Sequence, residues 1–121
     1  MINKSPTSRQ LKIAENLKRI IANQFILDKI QNNFIGEMHI TVSMVKMSSD
    51  LKIAKIYIIP DCKEDDLDQV IKLLNEFSHI FKKSIASKTN LKYIPNLKFF
   101  YDDVFKQVNN VENILANLDN E

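Results

Sequence analysis

Apolar residues at Ile13, Leu17, Ile20, Ile21 and Phe25, with Ala14 between them, recur at close to 3.6-residue spacing and predict one long amphipathic helix. Ser5-Pro6-Thr7-Ser8 ahead of it supplies N-cap oxygens and a proline suited to a first turn, so the helix is expected to start there. Lys12, Asn16, Arg19 and Asn23 follow one another on the opposite side, which sets two basic side chains together on the solvent face. Asp28 to Gly36 is polar and reads as a connection.

From Met38 the rhythm changes to alternation. Ile40, Val42 and Met44 are expected on one strand face and Thr41, Ser43 and Val45 on the other, with a bulge or strand end where the pattern fades near Met47. Ser48-Ser49-Asp50 suits a turn. In a second strand Ala54, Ile56 and Ile58 alternate with Ile53, Lys55 and Tyr57, and Pro60, which has no N–H to donate, is expected to end the pairing. The two runs make an antiparallel hairpin around which the rest of the chain is organised.

Helical spacing returns at Leu67, Val70, Ile71 and Leu74, behind Asp61, Glu64, Asp65 and Asp66, whose charges suit the positive end of a helix. Phe77, Phe81 and Ile85 continue the stripe, but Ile80 then lands on the polar side. That mismatch points to a change of register at Phe77-Ser78-His79, although one unbroken helix to about Lys88 also satisfies the spacing. Tyr93-Ile94-Pro95 leads into a third strand, Leu97 to Tyr101, and Val111, Ile114, Leu115 and Leu118 predict a short C-terminal helix. The class is α+β.

Composition narrows the picture. The chain has 121 residues, 45% of them hydrophobic and 26% charged, so a single domain over 1–121 with an ordered core of about 7–118 is expected. No apolar run approaches the roughly 20 residues that span a bilayer, and the polar start lacks a signal-peptide core, so a cytoplasmic location without membrane contact is expected. Cys62 is the one cysteine and Gly36 the one glycine. Neither a disulfide nor a zinc site follows from the first, and a Gly-rich phosphate loop or dinucleotide fingerprint cannot be built from the second. His39 and His79 have no His or Cys at ligand spacing, Ser48 with Asp50 is turn chemistry, and adjacent Asp102 and Asp103 would face opposite sides of a strand. No catalysis, cofactor, metal or small-molecule substrate is expected.

The formal net charge is only +2, yet the charges are blocked. Residues 61–68 hold five acids, Asp61, Glu64, Asp65, Asp66 and Asp68, against Lys63, whereas 77–100 hold Lys82, Lys83, Lys88, Lys92 and Lys98 and no acid. Arg9 sits near the start of the first helix, where the dipole does not favour a cation. Blocks of this kind generate local fields able to attract a polyanion, and they also fit an ordinary solvated surface.

The order helix, strand, strand, helix, break, helix, strand is that of a type II KH domain, an RNA-binding module. The run Thr41–Ile58 (TVSMVKMSSDLKIAKIYI) resembles the hairpin of the bacterial ribosome-binding factor A family, and Leu91–Asp102 (LKYIPNLKFFYD) resembles its later segment ending in a strand and an aspartate. Arg9 with Ile13-Ala14-Glu15 fits the opening helix, so the similarity covers about Thr7 to Leu118. The resemblance implies a three-stranded sheet with helices on one face. It also implies a non-enzymatic factor that binds the immature 30S ribosomal subunit and assists late 16S rRNA folding and processing, with a link to growth in the cold; a monomer is expected. The family carries an Ala-x-Gly kink where this chain has Phe77-Ser78-His79, so His79 replaces the glycine. By position, Lys82 and Lys92 match places where the family is commonly basic.

The candidate rRNA contacts are therefore Arg9, Lys12 and Arg19 on the first helix, Ser78 and His79 at the break, and Lys82, Lys83, Lys88 and Lys92 beyond it. Their expected work is charge neutralisation and positioning rather than base reading. A second reading stays open, a protein-interaction or dimerisation module of α+β build without RNA binding.

Overall fold

The structure is a computed structural model and describes residues 5–103. Helix α1 covers Ser8–Leu27 and opens on a capping box: the Gln10 N–H donates to the Thr7 hydroxyl at 3.1 Å and the Thr7 N–H to Gln10 Oε1 at 2.8 Å. Its inner stripe of Ala14, Leu17, Ile20 and Ile21 is buried, together with Gln24, whose amide donates to the Asp28 carbonyl and closes the helix end.

Strands β1 (Ile40–Met47) and β2 (Ile53–Pro60) form the antiparallel hairpin. Strand β3 (Asn96–Tyr101) returns parallel to β2, so the sheet order is β1-β2-β3 with β2 in the middle. Ala54, Ile56 and Ile58 are fully buried and Leu97 and Phe99 nearly so, while the residues between them face away from the helices.

Two details of the hairpin differ from expectation. The register shifts between Val42 and Met44, so the bulge lies at Ser43 and not near Met47. Ser43 is the extra residue, and it turns the later half of β1 over: Val45 joins Ile40 and Val42 in the core and Lys46 faces out, whereas strict alternation puts Met44 inside. Pairing also runs one bond past Pro60, because the Asp61 N–H donates to the His39 carbonyl at 2.8 Å.

A short 3-10 turn over Glu64–Asp66 leads into α2 (Leu67–Glu76), and α3 follows over Ser78–Lys88. The break falls at Phe77, with φ −91° and ψ 10°, a conformation open to any L-residue. The Phe77 N–H still reaches the Leu73 carbonyl, and the Ile80 N–H bonds the Phe77 carbonyl at 3.0 Å, a tightened turn that needs no glycine at position 79. It resolves the choice left by the spacing in favour of two helices and sends Phe81 and Ile85 fully into the core. There Phe81 meets the rings of Phe25 and Phe99 at 5.0 and 5.2 Å. Asn75 binds α2 to the edge of β3: its Oδ1 accepts from the Phe99 N–H at 2.9 Å and its Nδ2 donates to the Phe99 carbonyl at 3.3 Å.

The connection after α1 closes the core with Ile30 and Ile35. A Cβ on Gly36 would stand 2.5 Å from the Asn32 carbonyl oxygen and 2.8 Å from that of Ile30, so close backbone approach, not a positive φ, demands the glycine. The buried residues join in one cluster. The helix expected at Val111, Ile114, Leu115 and Leu118 lies outside the described residues, as do the ends of the expected 1–121 domain.

Candidate nucleic-acid interface

Three chain segments meet at one end of the sheet: the first turns of α1, the hairpin tip, and the approach to β3. Their junction is fixed by backbone chemistry. Gln10 Nε2 reaches the Met47 carbonyl at 3.4 Å, and the Asn96 N–H donates to the Lys52 carbonyl at 2.8 Å, tying α1 and β3 to opposite sides of the tip.

The tip itself is braced by two of its short polar side chains, Ser48 and Asp50. Ser48 Oγ donates to Asp50 Oδ1 at 2.6 Å and accepts from the Ile53 N–H, while Asp50 Oδ1 also accepts from the Lys52 N–H. The Ser48 hydroxyl, then the Lys52 N–H, hold the Asp50 carboxyl below its usual range, with the Lys52 charge adding a smaller push. Inside this frame Leu51 adopts φ 62°, the one non-glycine with positive φ among the described residues. A leucine there carries backbone strain that the surrounding bonds must hold.

Between the segments lies a cleft of about 720 Å³. Its apolar lining includes Ile13, Leu91, Ile94 and the buried Pro95, and around them stand Arg9, Lys52 and Lys92 with Asp50 as the lone carboxylate. Tyr93 also lines the cleft, is 75% exposed, and has the Lys92 ammonium 5.6 Å from its ring centre. Lys82 joins the cleft indirectly, because its Nζ donates to Asn96 Oδ1 at 3.0 Å and Asn96 is part of the lining. Cations surrounding an apolar floor, with one exposed aromatic ring, suit a strand whose phosphates stay at the rim while a base or sugar enters.

Of the residues proposed from sequence, Arg9, Lys82 and Lys92 come together here. Lys12 and Arg19 stay exposed along α1 outside the cleft, and Arg19 is turned onto its own helix by a bond to Asn16 Oδ1. Lys83 and Lys88 are exposed on α3. Ser78 and His79 open α3 at the Phe77 break, the His79 ring 6.5 Å from that of Phe77. Lys52 and Tyr93 were not singled out from the sequence. Lys52 is hidden there as a turn residue, and its placement beside Arg9 depends on contacts between distant segments. Among the described residues no cluster of His, Cys, Asp or Glu could hold a metal ion, and no helix is long and apolar enough to cross a membrane.

Residues 9–115 match the family model described as ribosome-binding factor A. The chain belongs to that family. It is 35% identical over 114 residues to ribosome-binding factor A of Pelagibacter ubique, covering 94% of this chain and 93% of that one. It is 33% identical over 110 residues to ribosome-binding factor A of Methylorubrum extorquens, covering 91% and 75%. The fold is similar to the crystal structure of ribosome-binding factor A from Thermus thermophilus, with TM-score 0.62 at 18% identity over 76% of this chain and 94% of that one. A homology model of the Thermus thermophilus factor, fitted into the cryo-EM map of a 30S–RbfA complex, superimposes with TM-score 0.56 at 20% identity, covering 72% and 88%. The structural likeness shows the shared fold, α+β and KH-like.

Proposed function

We propose that this protein is an assembly factor that binds the immature 30S subunit and assists late folding and processing of 16S rRNA, acting as a cytoplasmic monomer and supporting growth in the cold. The observation that carries the reading is the match of residues 9–115 to the ribosome-binding factor A family. The fitted 30S complex of a protein with the same fold supports the small subunit as the partner. The cleft formed by α1, the hairpin tip and the approach to β3 supplies the contact: Arg9, Lys52 and Lys92 neutralise phosphates, Lys82 anchors the rim through Asn96, and Tyr93 offers a ring for stacking. Lys12, Arg19, Ser78, His79, Lys83 and Lys88 contribute a wider field around that contact.

Co-sedimentation tests this directly. The protein should travel with free small subunits and not with full ribosomes, and the bound fraction should fall as salt rises. Arg9→Gln with Lys92→Gln should lower the low-salt bound fraction. Absence of binding by the unaltered chain at low salt would overturn the proposal. Binding unaffected by both substitutions would remove the cleft from it and favour a protein-interaction module. Solution size measurement checks the monomer, and crosslinking to immature subunits with sequencing of the bound rRNA gives the contacted helices.

A further inference from the structure

The outer face of the sheet, opposite the helices, carries a second arrangement that the proposed cleft does not use. The pairing register puts Lys46 directly opposite Lys55, and Lys55 directly opposite Lys98, so three lysines form one row across all three strands. All three are exposed, and none takes part in an ion pair among the described residues, where the one salt bridge is Lys29–Glu37. Like charges directly opposite on a sheet are destabilising. A row of three therefore has an electrostatic cost that an external polyanion would relieve.

The next row on the same face is Met44, Tyr57 and Phe100. The Tyr57 and Phe100 rings lie 5.7 Å apart with their planes at 29°, the Lys46 ammonium stands 5.8 Å from the Tyr57 ring centre, and Phe100 remains 39% exposed. Same-face rows are two residues apart, roughly 6.6 Å at strand rise, and neighbouring strands are about 4.8 Å apart. A line of ammonium groups thus runs alongside a platform of aromatic faces at about the distance separating a nucleotide's phosphate from its base. The bulge at Ser43 is what puts Lys46 in the row. Without that extra residue, alternation from Ile40 and Val42 would have turned position 46 into the core.

We infer that this open sheet face binds unpaired RNA, with phosphates along Lys46, Lys55 and Lys98 and bases stacked on Tyr57 and Phe100. The inference rests on the reading above for the class of partner and adds a separate surface with a preference for single strands. Duplex RNA offers the lysines phosphates but gives the rings no free base to stack on.

The test uses the full chain and a fluorescein-labelled oligouridylate, with a duplex of equal length as competitor, followed by anisotropy over a range of salt. Phe100→Ala should weaken single-strand binding at least about fivefold. Lys55→Gln and Lys98→Gln should each lower the slope of log affinity against log salt by about 0.7. Ultraviolet crosslinking should recover a peptide carrying Tyr57 or Phe100 attached to RNA. Affinity and slope unchanged in all three variants would overturn the inference, as would equal competition by the duplex. The low-salt co-sedimentation of the unaltered chain decides the small-subunit reading separately, so the two can fail independently.

Discussion

The two faces of the sheet are built from the same three strands and differ by a step of one residue. On the inner face Ile56, Ile58 and Phe99 are buried beneath α1, α2 and α3, and their identity is dictated by the need to fill that layer. On the outer face Lys55, Tyr57, Lys98 and Phe100 serve no packing against a helix among the described residues, and their charges even oppose one another. The inner set says how the protein folds. The outer set is freed from that demand.

Substitutions can break this comparison. Phe99→Ala should cost about 3–5 kcal/mol, because Phe99 is only 1% exposed and its ring packs on Phe81. Phe100→Ala, its neighbour on the other face, should cost no more than about 1 kcal/mol. Equal losses in urea unfolding would erase the distinction. Gly36→Ala should cost about 1–3 kcal/mol, read as a lower thermal midpoint, since the new methyl meets two backbone carbonyls that cannot turn aside cheaply.

Smaller effects sharpen the outer face. Ser43→Ala removes the hydroxyl that donates to Asp102 Oδ2 at 2.6 Å and should cost about 1 kcal/mol in the same unfolding assay. Lys55→Glu should stabilise the protein by about 0.2–1 kcal/mol by placing an acid between two lysines, yet weaken RNA binding, a pairing of opposite signs that no structural role for Lys55 would produce. The smallest effect belongs to the tip. The Asp50 carboxyl is held below its unfolded value, so its contribution is present above about pH 4 and disappears as pH falls through the folded value. Asp50→Asn should therefore show a flatter stability profile than the parent on the acid side, measured by denaturation at a series of pH values.

Much of the fold was legible because its signals are local. The N-cap oxygens of Ser5-Pro6-Thr7-Ser8, the stripe from Ile13 to Phe25, and the alternation of Ala54, Ile56 and Ile58 each predict their element from a handful of neighbours. The bulge at Ser43 is hidden because it is a property of two strands: nothing in residues 40–47 alone says that β2 passes from Ile58 to Tyr57 while β1 passes from Val42 to Met44. The helix break was half legible, since Ile80 exposed the mismatch but spacing could not choose between a kink and a continuous helix. Among candidate contacts, Arg9 and Lys82 could be nominated by charge, and Lys92 by the resemblance to the family. Their meeting with Lys52 depends on the bond between Asn96 and the hairpin tip, a contact between residues far apart in sequence.

The parallel return of β3 has a consequence for the order of folding. The hairpin joins neighbours and can form early, but β3 reaches β2 only after a crossover, residues 61–95, that contains both α2 and α3. Lys98 and Phe100 therefore enter their rows last, and a chain that has made only its hairpin lacks a third of the lysine row and the exposed ring beside it. The outer surface becomes complete only when β3 docks, so a chain still waiting on its crossover cannot yet offer the full platform.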